Sequence, residues 1–160
     1  MKQLHSHRKN HQGVSLIEVL ITVLILTSGL LGMAALQTRS LNFNNIAYLN
    51  TRADMMAYDM LDRIKANRAY SVNSRGYIVS LGNIPSSYPI TCESNDCTPQ
   101  ELSVYDIDQW KFTLDQQLPD GDGTISIADT PEGRVYTISV FFDDSRGSTT
   151  RRQIIIRSIL

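Results

Sequence analysis

The alternation of apolar and polar positions changes character three times along this chain. From Val14 to Leu36 apolar residues run almost without a break. As a helix, Leu16 to Leu36 would rise about 30 Å, enough to cross the hydrocarbon of a bilayer. Beyond Gln37 and Arg39 the run turns amphipathic. Ile46, Leu49, Ala53, Met56, Met60 and Ile64 recur at steps of three and four and mark one apolar face. Arg52, Asp54, Asp59, Asp62 and Arg63 fill other positions, with Asp59 and Arg63 spaced to pair one turn apart. The pattern predicts one helix from Val14 to Arg68, about 80 Å long at the usual rise. Its first half suits an apolar medium and its second half suits packing on a globular domain. The methionines Met55, Met56 and Met60 read as core filler.

Past the helix the period shortens. Tyr70 to Thr91 reads as a connector, with a short strand at Gly76 to Leu81 and breaks at Pro85 and Pro89. Thr98-Pro99-Gln100-Glu101 carries the signals of a helix start: a capping threonine, a proline at the first position and a glutamate that closes a capping box. Leu102, Tyr105, Trp110, Leu114 and Leu118 supply its buried face, and Pro119 to Gly123 ends it in a turn. Three strands are then predicted, at Thr124–Ala128, Val135–Phe142 and Arg151–Leu160, with turns at Asp129–Gly133 and Asp143–Gly147. A short antiparallel meander packed on the long helix buries both apolar faces. The expected fold class is α+β.

Composition narrows the function. Of 160 residues 15 are basic and 16 acidic, so the charge is balanced. Lys2, Arg8 and Lys9 all precede Gly13; without them 15 − 3 = 12 basic residues face 16 acidic ones. A mildly acidic chain argues against general nucleic-acid binding. The three histidines, His5, His7 and His11, also lie before Gly13. A chain cut there has no imidazole, which excludes Ser-His-Asp and Cys-His mechanisms within it. No catalytic residue and no cofactor is expected. Cys92 and Cys97 bracket the polar, turn-forming Glu93-Ser94-Asn95-Asp96, and in an oxidising compartment they are expected to form a disulfide. Zinc would need two more ligands, and the spacing is not the C-x-x-C of a redox pair.

Glu18 stands at the head of the apolar run, in Gly13-Val14-Ser15-Leu16-Ile17-Glu18. A charge in mid-bilayer costs about 2.5–3.5 kcal/mol on insertion scales, so such a residue usually has a task. A cut after Gly13 would create a new amine on Val14 and make Glu18 the fifth residue. Carboxylate and cation would then share one end of an apolar helix. Two other readings compete. An ordinary secretory signal could be cut near Gly32-Met33-Ala34, but would hold Glu18 inside its apolar region. A plain single-span anchor needs only the length. The basic residues before Gly13 would stay cytoplasmic, placing the domain after the helix in the periplasm. Gly29 and Gly32, with Ser28 four positions before Gly32, are spaced for close helix contact or for local softening, or are simply tolerated by lipid.

The basic leader ending in Gly13, the hydrophobic run and Glu18 resemble the type IV prepilins. The resemblance implies a dedicated peptidase that cuts before Val14 and methylates the new amine. It also implies an apolar helix that packs into a filament core. Val14 departs from the usual Phe at the first mature position. Ser28-Gly29-Leu30-Leu31-Gly32-Met33-Ala34-Ala35-Leu36-Gln37 looks like the PilV family of minor pilins. So do Cys97-Thr98-Pro99-Gln100-Glu101-Leu102, Tyr105-Asp106, Trp110 and Leu118-Pro119. That likeness implies a low-abundance subunit that helps to start or cap a type IV pilus. Its partners would be prepilin peptidase, other minor pilins, the major pilin and a pilus-tip adhesin. It would be membrane-inserted before assembly and then part of the extracellular pilus. The expected organisation is a leader at 1–13, an apolar helix at 14–37, its amphipathic continuation at 38–68 and a periplasmic α+β domain at 69–160.

The rival readings are a type II secretion pseudopilin, which shares helix and glutamate, and a pilus subunit for adhesion or DNA uptake. For the latter, Arg146, Arg151, Arg152 and Arg157 are the available cations, and edge-protecting or solvated charges explain them as well. Asp120 and Asp122 stand where the PilV-like turn is expected to carry glycine. With Asp129 they raise the question of calcium. The twelfth residue counted from Asp120 is Pro131, which excludes an EF-hand loop, and a solvated turn is the simpler expectation.

Overall fold

The computed structural model describes residues 15–144 and 151–160. The chain divides into two units, Met1–Phe43 and Asn44–Leu160. One helix, α1 (Leu16–Ala66), contributes to both.

In the first unit α1 has no core to face. Leu16 is 77% exposed and Leu31 72%, and no residue from Leu16 to Phe43 is buried. This is the chain's one described helix long and apolar enough to cross a membrane. Its hydroxyls are satisfied within the helix: Thr22 donates to the Val19 carbonyl at 2.8 Å, Thr27 to Val23 at 2.9 Å and Ser28 to Ile25 at 2.9 Å. Back-bonding of this kind leaves these hydroxyls with no need of a partner in an apolar surrounding. The helix continues through Gly29 and Gly32, and a Cβ at either would meet no atom within 4 Å.

In the second unit the amphipathic pattern is realised. Leu49, Ala53, Met56, Ala57, Met60, Leu61 and Ile64 are buried. Met55 departs from the expectation of a methionine core: it is 63% exposed, because it falls off the helical stripe that holds Met56 and Met60. After Ala66 the helix breaks at Asn67 and resumes as α2 (Arg68–Asn73), so the first residues of the expected connector are helical. The break is held by contacts from other segments as well as from the next turn. The Asn67 amide donates to the Pro99 carbonyl at 2.7 Å and to the Tyr77 hydroxyl at 3.1 Å, and Ser71 Oγ turns back to the Ile64 and Asn67 carbonyls. The strand expected at Gly76–Leu81 reduces to a single antiparallel bridge, Val79 with Ile125.

The next helix, α3 (Pro99–Gln117), begins as its sequence predicts: Thr98 and Glu101 form a reciprocal capping box with proline in the first turn. Trp110 and Leu114 are buried in it, with Leu118 just after, and the indole nitrogen donates to the Met56 carbonyl at 3.0 Å. Three antiparallel strands follow in the order β1-β2-β3: β1 (Asp122–Thr130), β2 (Gly133–Phe142) and β3 (Arg152–Ile159). Thr130 pairs with Gly133, leaving Pro131-Glu132 as a two-residue turn, and Gly133, the first residue of β2, takes a positive φ that suits glycine. The turn at Asp143–Gly147 lies partly outside the described residues. The inner sheet face, including Ile125, Tyr136, Ile138, Val140 and Phe142, joins Trp110 and the second half of α1 in one core. Gly123 permits this closeness, since a Cβ there would run into the Trp110 ring. The fold is α+β, as the periodicities predict.

Candidate functional site

The N-terminal end of α1 begins at Ser15, whose carbonyl accepts from Glu18 N at 2.9 Å and from Val19 N at 3.3 Å. Glu18 therefore occupies the first helical turn, where a carboxylate complements the helix dipole. Its side chain is exposed among exposed apolar neighbours. Gly13 and Val14, the expected cleavage and methylation positions, lie outside the described residues, as do the leader's basic residues.

The second unit holds the disulfide. Cys92 and Cys97 are bonded to each other, as their spacing and flanking residues predict. The loop they close is tied to α3 by the Tyr105 hydroxyl, which donates to Glu93 at 3.1 Å. Burial, reinforced by Glu93, pushes the Tyr105 phenol up to about 12.

Two buried polar clusters were not anticipated. In the first, Lys111 is fully buried and its ammonium lies 3.1 Å from Asp122. Lys111 also donates to the carbonyls of Ser80 (2.6 Å) and Gly82, while Asp122 accepts from Gly82 N and Gly123 N, both at 2.7 Å. All donors and acceptors are met, which is the condition for tolerating a buried ion pair. In the second, the Tyr77 hydroxyl donates to Asp106 at 2.8 Å and accepts from Asn67, while Arg63 approaches Asp106 at 3.4 Å. Burial raises the Asp106 carboxyl above the usual aspartate range, against the lowering effect of Tyr77 and Arg63. Burial likewise raises Tyr77. A signal for these clusters does exist in the sequence. Asp106 and Lys111 fall on the same stripe as Ile107, Trp110 and Leu114, where a charge has to be paired.

The turn aspartates are committed to cations of the chain itself. Asp120, at φ 51°, receives the Arg151 guanidinium through two bonds of 2.5 and 2.6 Å. Asp129 pairs with Arg134 at 2.8 Å and Arg75 at 2.5 Å, and the Arg134 hydrogen bond holds its carboxyl below the usual range. The solvated-turn expectation therefore fails for Asp122, which is buried, because Lys111 reaches it from α3. Arg152 pairs with Asp144, so two of the four arginines near the last strands serve as local ties. Arg157 is exposed with no ion-pair partner among the described residues, and Arg146 lies outside them.

Residues 8–34 match the family model described as the prokaryotic N-terminal methylation motif, the signal of type IV pilins and pseudopilins. The match spans Gly13, Val14 and Glu18. No curated protein and no solved structure matches the chain. The motif, the exposed apolar helix and the α+β layout define a pilin-like or pseudopilin-like chain that carries the substrate signal of a prepilin peptidase.

Proposed function

We propose that this chain is a minor pilin of the PilV type, cut after Gly13, methylated on Val14 and built into a type IV pilus at its initiation or tip. The observation that carries the reading is the methylation motif at residues 8–34 on a helix whose apolar side chains from Leu16 to Phe43 are all exposed among the described residues. Before assembly, lipid covers that surface and the domain after it faces the periplasm. In the filament, neighbouring helices cover it. Its partners are other minor pilins and the major pilin, and its work is assembly rather than catalysis.

Glu18 is the functional residue in this reading. The Val14 amine has a reference pKa of about 7.7–8.0 and is cationic near neutrality. In an apolar filament core that cation needs a carboxylate, and leaving one member of such a pair alone costs about 3–5 kcal/mol. Glu18 of one subunit pairs with the amine of the next and sets axial register. Mass spectrometry of the mature N-terminus tests the cut: a start at Val14 carrying a methyl group is expected, and a start at Ala35 or an intact Met1 overturns the reading. Glu18→Ala should be inserted and processed yet be missing from sheared pili; normal incorporation would remove the pairing role. Recovery of the native chain in sheared pili separates a pilin from a secretion pseudopilin, whose signal is the same.

A further inference from the structure

A groove of about 460 Å³ runs along the exposed side of the first half of α3, walled by the segment that leads into the disulfide. Its lining includes Pro89, Glu101, Val104, Tyr105 and Asp108. The walls are fixed from three directions. The disulfide closes the loop beside Thr98, Tyr105 holds Glu93, and Tyr88 stacks edge-on against Phe112 at 5.7 Å. The chemistry of the groove is one-sided. It contains two carboxylates and no lysine or arginine. Glu101 is held ionised, its carboxyl lowered by the Thr98 backbone and hydroxyl. Asp108 is half-buried with no hydrogen bond among the described residues; burial raises its carboxyl, against the lowering effect of Lys111. Between the two carboxylates Val104 is 54% exposed, so an apolar contact is available as well.

The complement of this surface stands elsewhere on the same unit. On the outer face of β3, alternate residues Ile155, Arg157 and Ile159 form a row, since side chains two apart share a face. Their cross-strand neighbours on β2 are Ser139, Thr137 and Val135, while Ile154 and Ile156 point the other way, to the core. Ile155 and Ile159 are about half exposed, and Arg157 has no ion-pair partner among the described residues. The row is an unpaired cation between two aliphatic side chains. The groove is an exposed valine between two carboxylates. The lengths agree too: Thr98 to Asp108 rises about 15 Å along α3, and Ile155 to Ile159 extends about 13 Å.

We propose that the α3 groove of one copy receives the β3 row of a second copy, with Arg157 meeting Asp108 and Glu101 and the isoleucines meeting Val104 and Pro89. Groove and row are different surfaces, so the contact is head-to-tail and a pair of copies keeps one free groove and one free row. Contacts of this class propagate into rings or helical filaments rather than closing as a two-fold dimer. A patch this small lies below the size of a stable soluble interface, about 1,000 Å². It therefore acts where copies are already concentrated in one membrane or filament. The contact lies wholly within residues 44–160, so it does not depend on whether the chain is cut after Gly13.

Disulfide trapping in membranes of cells that make the full chain tests this. Two differently tagged chains, Val104→Cys and Ile155→Cys, are made together and mildly oxidised. A mixed dimer containing both tags is expected, with neither variant alone giving the same yield. A Ser126→Cys chain, altered on the exposed outer face of β1, should not trap with Ile155→Cys. Reversing Asp108 to Arg, or Arg157 to Asp, should lower the yield at least about fivefold, because like charges then face each other. Combining the two reversals on opposite copies should restore it. Absence of the mixed dimer, equal trapping by Ser126→Cys, or indifference to the reversals overturns the proposal. So does trapping of Val104→Cys on a different protein in place of a second copy.

Discussion

The two halves of α1 are one helix in two solvents. From Leu16 to Phe43 its large apolar side chains are exposed and its hydroxyls are turned inward onto its own carbonyls. From Leu49 to Ile64 only one stripe is apolar, and that stripe is buried under α3 and the sheet. The backbone geometry is the same in both. What differs is where the apolar area is satisfied. The second half completes its burial inside the chain, whereas the first half can do so only in lipid or against other subunits. Substitutions should accordingly affect folding in one half and assembly in the other.

The largest expected effect is at the buried ion pair. Lys111→Met leaves Asp122 buried without its cation and should cost about 3–5 kcal/mol in denaturant unfolding. Trp110→Ala should cost a similar amount, about 3–5 kcal/mol, through cavity formation and the lost bond to Met56. Leu24→Ala, in the exposed half, should leave the unfolding midpoint of the second unit unchanged. A shift as large as that of Trp110→Ala would erase the distinction between the halves. Smaller is the disulfide: Cys92→Ser with Cys97→Ser opens a short loop and should cost about 2 kcal/mol on the chain-entropy estimate.

The smallest effect is in the pH dependence. Glu101 and Asp129 have lowered carboxyls, so their contribution is present above the ordinary carboxylate range and is lost as pH falls through their folded values. Asp106 is raised, so its contribution has the opposite sign: it is fullest in acid and is lost as pH rises through its folded value. In the native protein Asp106 therefore offsets part of the acid loss. Asp106→Asn removes that offset, and the fall in urea midpoint between about pH 7 and about pH 3 should be larger than in the native chain. An equal or smaller fall would mean that Asp106 is not raised.

Local and periodic features were legible in the sequence. The long helix, the capping box at Thr98, the three-strand meander and the Cys92–Cys97 bond all arise from residues near one another in the chain. What escaped depends on contacts between distant segments. The break at Asn67 is made by Pro99 and Tyr77. The Gly76–Leu81 strand shrinks to one bridge, Val79 with Ile125, on the edge of β1 that β2 leaves open. Asp122 looked like part of a solvated turn because Lys111, its partner, is eleven positions earlier on another element. At the N-terminal end, Glu18 stood out as a charge at the head of an apolar run, and its place in the first turn of α1 agrees with the spacing.

The connector between α2 and α3 has almost no regular structure, yet it is held at separate points: Val79 on β1, Gly82 by the Lys111–Asp122 pair, Tyr88 on Phe112 and the disulfide at its end. Between the second and third of these anchors lies the span 83–87, whose length nothing in the core dictates. Loop closure free energy grows only slowly with length, by about 0.6 kcal/mol per doubling. The surface presented by this span can therefore be lengthened, shortened or rewritten without touching the fold. The arrangement suits a component whose framework has to stay constant while the face it shows to its surroundings is exchanged.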